Sequence, residues 1–205
     1  PLPPWTGRPP PPEPSPPRPL APSRPGEEEP PVFSPLAGGD EARFRRGLVV
    51  HALLQHLPEL APDRRAAACA AYLARPLLDL EPDTQAALGR EVLAVLDAPE
   101  FAALFAPDSR AEAPLAGKIG DAVISGQVDR LAVTDEAVLI VDYKTNRPPP
   151  VAVEAVSPLY LRQMASYRAL LRRIYPDRAV RCALLWTDGP RLMSLPDVLL
   201  DPWIP

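Results

Sequence analysis

Cysteine is nearly absent from this chain of 205 residues: Cys69 and Cys182 are the only two. One falls in an alanine-rich helical stretch and the other in a strand-like stretch, which suits two buried thiols in a reducing compartment, so a cytoplasmic location is expected. Two cysteines so placed build neither a zinc centre nor an iron-sulfur cluster. Long apolar runs are missing as well. No stretch approaches the roughly 18 residues of a membrane-spanning helix, and no charged-then-apolar leader is present, so a soluble protein without a membrane partner is expected. The phosphate-cradling loop G-x-x-x-x-G-K-[S/T] is lacking, because Gly117-Lys118 is followed by Ile119 and has no upstream glycine. Nor is there a surplus of positive charge. With 22 basic and 26 acidic residues the formal net charge is -4, so the totals do not advertise a nucleic-acid binder, although an average can hide a basic groove.

Proline, by contrast, abounds. Of 32 prolines, 16 lie within residues 1–36, a segment without apolar periodicity that carries the acidic run Glu27-Glu28-Glu29. It is expected to be an extended, polyproline-like linker. The chain opens inside this tract without an initiator methionine, the pattern expected of a piece whose natural neighbour lies upstream. Residues 37–205 have enough Leu, Val and Ala for one globular domain.

Within that domain, residues 40–57, 62–78 and 82–96 are expected to be helices, followed by a helical turn at 99–105. Alanine richness in the second and third points to packing, not chemistry. Strands are expected at 110–115, 118–124, 127–134 and 137–143, with Asp135-Glu136 as a hairpin turn. An amphipathic helix follows within 158–175, then strands at 179–186 and 191–195 about the Asp188-Gly189 turn. Trp203 is an unassigned docking anchor. The order describes an α/β domain: a helical part (37–105) and a sheet core (106–205), with a mixed central sheet flanked by helices.

The chemistry is expected at Leu139-Ile140-Val141-Asp142-Tyr143-Lys144-Thr145, where an apolar run ends in an acid and a lysine two residues apart. Side chains alternate along a strand, so Asp142 and Lys144 share one face while Val141 and Tyr143 point to the other. A surface ion pair at a frayed strand end is the plainer explanation. Asp129, however, lies one strand earlier, where a hairpin register brings it near Asp142, and Glu112 lies on the strand before that. Carboxylates crowded at one sheet edge repel unless a cation holds them, and oxygen-rich sites suit Mg²⁺ or Mn²⁺. Such a centre favours hydrolysis of a phosphodiester, with Lys144 positioning water or meeting charge on phosphorus. His51, one turn after Gly47, reads by itself as a core or partly exposed histidine. Gln163 and Tyr167, spaced i, i+4, share a helix face and read equally as boundary residues.

Four pieces in order, Gly47 with His51, Gly126-Gln127-Val128-Asp129-Arg130-Leu131, Val141-Asp142-Tyr143-Lys144-Thr145-Asn146-Arg147, and Gln163-Met164-Ala165-Ser166-Tyr167, resemble the PD-(D/E)XK nuclease superfamily in its RecB-like branch. The sequence is most similar to the nuclease domains of the AddA type, from bacterial AddAB helicase-nucleases of double-strand-break repair. The lead-in ending Ala21-Pro22-Ser23-Arg24 also looks like the linker between helicase and nuclease there. The resemblance implies a restriction-endonuclease-like fold. It implies that Asp129, Asp142, His51 and the main-chain carbonyl of Tyr143 bind Mg²⁺ or Mn²⁺, and that Lys144 is the catalytic lysine. Gln163 and Tyr167 would face the site, with Glu112 a further candidate acid. DNA, an upstream helicase of the same polypeptide and an AddB-like subunit are the implied partners. ATP dependence would belong to the helicase. The iron-sulfur cluster of AddB and of related CRISPR-associated nucleases needs four cysteines, which favours the AddA type. A stand-alone exonuclease and an inactive scaffold that binds DNA ends are the competing expectations.

Overall fold

In the computed structural model, residues 40–205 are described, with side chains from residue 44, so the expected linker at 1–36 lies outside the described residues. Helix α1 (Asp40–His56) leads into α2 (Pro62–Leu73) and α3 (Pro82–Asp97). Proline opens both of the latter, where its missing N–H costs nothing and its fixed φ suits the first turn. The expected single helix over 62–78 is two pieces. Pro76 forces Arg75 to an extended conformation (φ -64°, ψ 128°), so α2 ends and a separate 3-10 turn, Pro76–Leu78, follows.

Five strands follow a 3-10 segment (Pro99–Phe105): β1 (Arg110–Ile119), β2 (Ala122–Val133), β3 (Ala137–Lys144), β4 (Ala179–Trp186) and β5 (Arg191–Leu195). They lie in the sheet in sequence order. β1, β2 and β3 are antiparallel neighbours, β3 and β4 are parallel, and β4 and β5 are antiparallel. The parallel step requires a crossover, supplied by α4 (Pro158–Ile174). A four-residue helix, α5 (Asp197–Leu200), and a 3-10 turn (Asp201–Trp203) close the described chain.

The three short strands expected between residues 110 and 134 are one long hairpin, turning at Gly120 (φ +55°). Gly117 and Gly126 look like breaks in the sequence but lie inside β1 and β2. A Cβ on Gly126 would sit 2.5 Å from the Tyr167 hydroxyl, and one on Gly117 would sit 2.7 Å from Leu170 Cδ2. Both glycines therefore admit α4 close to the sheet.

Two apolar layers sandwich the sheet. On one face Val128, Ile140 and Leu184 pack with Met164 and Leu171 of α4. On the other, Val141, Tyr143 and Leu185 pack with Val50 and Leu54 of α1 and Val92 of α3. β3 is central and meets both layers, so the alternation expected for Val141 to Lys144 holds. The mixed five-stranded sheet with helices on both faces is the expected restriction-endonuclease-like architecture. Among the described residues, no helix is long and apolar enough to cross a membrane.

Candidate active site

The site forms where the sheet comes apart. β2 and β3 pair from Val133 opposite Val138 to Arg130 opposite Val141, and the ladder stops there. In the gap, Asp129 Oδ2 accepts the main-chain N–H of Tyr143 at 2.6 Å, so a side chain replaces the next backbone rung. On the other side the ladder pairs Ala111 with Arg130 and Ala113 with Val128 but skips Glu112, opposite Asp129. Glu112 has φ +49°, an uncommon conformation for a residue with a Cβ. Alternation fails at this irregularity: Val128, Asp129 and Arg130 are all buried. Val128 joins the α4 layer, while the Arg130 guanidinium turns to the helical layer and donates to Leu54 O of α1 (2.8 Å) and to the Tyr143 hydroxyl (3.2 Å).

His51 reaches this point from α1. Its Nδ1 lies 3.5 Å from Asp129 Oδ1, and its ring meets that of Tyr143 edge-on at 5.6 Å. His51, Glu112 and Asp129 each offer a ligand atom, all within 4.8 Å of one another. Glu112, a secondary candidate in the sequence, thus stands in the same group as His51 and Asp129.

Asp142 and Lys144 emerge on the α4 face of β3. Lys144 Nζ lies 2.6 Å from Asp142 Oδ2 and donates to Gln163 Oε1 at 3.2 Å, while Gln163 Nε2 donates to Asp142 Oδ1 at 2.8 Å. The ammonium also sits 3.8 Å from the centre of the Tyr160 ring, and the Tyr160 hydroxyl donates to Asn146 Oδ1. Tyr167, one turn beyond Gln163, is placed deeper: its hydroxyl accepts from the Gln127 N–H at 3.3 Å beneath Gly126. Sequence reading missed Tyr160, although its i, i+3 spacing from Gln163 sets both on one face of α4.

Each aspartate is paired with its own cation. Burial works to lower the His51 pKa, but the Asp129 carboxylate outweighs it and raises the value to about 9. Burial raises Asp142 to about 6 against the pull of Lys144. Burial also works to lower Lys144, and Asp142 again prevails, raising it. Glu112 is raised by burial and then by the charge of Asp129.

A divalent cation fits this set. Asp142 Oδ2 is buried, with the Lys144 ammonium 2.6 Å away as its partner and no neutral donor. The remaining donors are carboxylates and one imidazole, hard ligands suited to Mg²⁺ or Mn²⁺. Cys69 and Cys182 lie in opposite layers and are not in the site.

The profile of the PD-(D/E)XK nuclease superfamily matches residues 34–193. No curated protein matches the chain in sequence. A solved structure titled "Crystal structure of SSO0001" is similar at 14% identity over 80% of this chain and 84% of that one. Its TM-score is 0.34. The family match covers β1 to β4 and each acid gathered at the fork, from Glu112 to Asp142, together with His51, Lys144 and Gln163, and the chain belongs to the PD-(D/E)XK nuclease superfamily.

Proposed function

We propose that the chain is a divalent-metal-dependent deoxyribonuclease of the AddA type, an exonuclease acting on single strands supplied by a helicase during repair of broken DNA. The observation that carries the nuclease reading is the meeting of His51, Glu112 and Asp129 with the Asp142, Lys144 and Gln163 cluster at one sheet fork. The AddA assignment, the AddB-like partner and the upstream helicase rest on the sequence resemblance.

In this reading His51, Asp129, Asp142 and the Tyr143 carbonyl hold Mg²⁺ or Mn²⁺, with Glu112 as a further ligand. A bound divalent ion acidifies water and offsets charge on the phosphate. The chain's own groups do the rest. Lys144 would offer its ammonium to the negative charge that grows on a non-bridging phosphate oxygen as water, giving up a proton to solvent, bonds to phosphorus and the ester oxygen departs and takes one up. Gln163 spans Asp142 and Lys144 and fixes both in register.

Lys144→Ala separates this reading from a structural ion pair. A cation cannot ligate a cation, so the variant should retain Mn²⁺ while single-turnover cleavage of a labelled strand falls about 10²-fold or more. Asp129→Ala should lose both metal and cleavage. Cleavage by Lys144→Ala at the wild-type rate would overturn the role of the lysine. Wild-type protein that binds DNA ends with Mn²⁺ present but never cuts would favour the scaffold reading instead.

A further inference from the structure

Beneath the site, on the helical face of the sheet, lies a buried carboxylate that the chemistry above does not use. Glu91 of α3, 9% exposed, bridges four elements. Its Oε2 accepts from Arg46 Nη2 of α1 and from Arg147 Nη2 of the segment after β3, the latter at 2.7 Å. Its Oε1 accepts the hydroxyl of Thr187, at the end of β4. The same groups grip the backbone beside the lysine: Arg46 Nη1 donates to Thr145 O at 2.9 Å, and the Thr187 N–H donates to Lys144 O at 3.1 Å.

The spacing gives this cluster its meaning. Arg46 stands five residues before His51 on α1, and Thr145 directly follows Lys144. Three residues after His51, Leu54 O is held by Arg130, the residue after Asp129. The turn that carries His51 is therefore tied on both sides to the strands that carry the acids. We propose that Glu91 is a positioning residue for the metal ligands: by holding Arg46 it sets the distance at which His51 meets Asp129. This rests on the metal-dependent reading of the site. Glu91 touches none of the reacting groups itself. Removing its charge leaves two guanidinium groups, Arg46 and Arg147, side by side without the anion between them, and the Arg46 bond to Thr145 O loses the carboxylate that orients it.

A mutant cycle in the full chain tests this, because a purely structural carboxylate has no reason to act through His51. Mn²⁺ affinity is followed by electron paramagnetic resonance, which counts free ion into the millimolar range. Glu91→Gln is expected to weaken binding about tenfold, the usual scale for a group that orients a ligand. In a His51→Ala background the same change is expected to alter binding less than about twofold. Arg46→Met, which leaves α3 untouched, is expected to reproduce both results and to add nothing to Glu91→Gln. An equal loss in both backgrounds, or no loss in either, would overturn the proposal. Should Glu91→Gln fold poorly, Arg46→Met decides by the same two comparisons. The metal arm does not depend on cleavage, so wild type that binds Mn²⁺ without cutting DNA would sink the nuclease reading and leave this one standing.

Discussion

His51 carries a proton that a metal must displace. With its pKa raised to about 9, the imidazole is charged at neutral pH, whereas only the neutral ring can ligate. The sign follows directly: acid stabilises the His51–Asp129 pair and opposes metal, and base removes the proton and favours metal. Between about pH 6.5 and about pH 8.5, above the value of about 6 at which Asp142 ionises, Mn²⁺ affinity should climb close to tenfold per pH unit. Calorimetry across that range checks it, and His51→Gln should flatten the slope. A flat profile in the wild-type protein would mean that His51 is no ligand. At this scale the sequence is informative where neighbours in the chain are neighbours in space. Asp142 and Lys144 are readable as a unit because strand alternation fixes their shared face. Glu91 is not, since its partners Arg46, Thr187 and Arg147 are 45, 96 and 56 residues away. Its setting among Leu88 and Val92 looks like ordinary packing.

At the scale of elements, α4 and the β1–β2 hairpin set the geometry together. Two glycines let the helix approach, and Gln163 reaches Asp142 from that approach. Gly126→Ala should therefore be costly for a steric reason: the new methyl would meet the Tyr167 ring and hydroxyl at 2.5 to 3.0 Å. Overpacking of this kind typically costs about 1–3 kcal/mol. Urea unfolding should show the loss, and Gly126→Ala combined with Tyr167→Leu should recover part of it. If Gly126→Ala unfolds at the wild-type midpoint, the close approach is not real. The hairpin also marks where pattern reading fails. Three apolar runs separated by small residues look like three strands, because a glycine that serves a helix across the sheet leaves the same trace in sequence as a glycine that turns the chain. The four longer helices come through, since periodicity and proline placement are local. The fork at Asp129 does not, because neither the Tyr143 N–H bond to the Asp129 carboxylate nor the φ value at Glu112 is announced by residue type.

On the scale of the whole molecule, the described C-terminal residues are clasped to α4 by charge. Arg168 is fully buried, its Nη1 and Nη2 each 2.6 Å from a carboxylate oxygen, of Asp197 and Asp201 respectively. Arg172 adds a second donor to Asp197. Deleting both acids leaves a buried guanidinium without a carboxylate, and because the acids themselves are more than half exposed the cost should be about 1–3 kcal/mol, below that of a fully buried pair. Replacing the guanidinium by a hydrocarbon of similar length leaves only two exposed acids and should cost less. Denaturant unfolding of Asp197→Ala/Asp201→Ala against Arg168→Met tests that order. The reverse ranking would show that Arg168 matters for its packing and not for its charge.

The one parallel pair in the sheet has a consequence for how the protein is made. β1, β2 and β3 are joined by tight turns and can pair as soon as they leave the ribosome, but β3 waits for β4, whose Trp186 stands in register with Lys144. The chain between those two residues takes about 2–8 s to synthesise at about 5–20 residues per second. Until it emerges, a nascent chain bears both aspartates and the lysine yet lacks the strand that seats β3 and the Thr187 that holds the Lys144 carbonyl. The acids and the lysine are therefore synthesised before the strand that seats them.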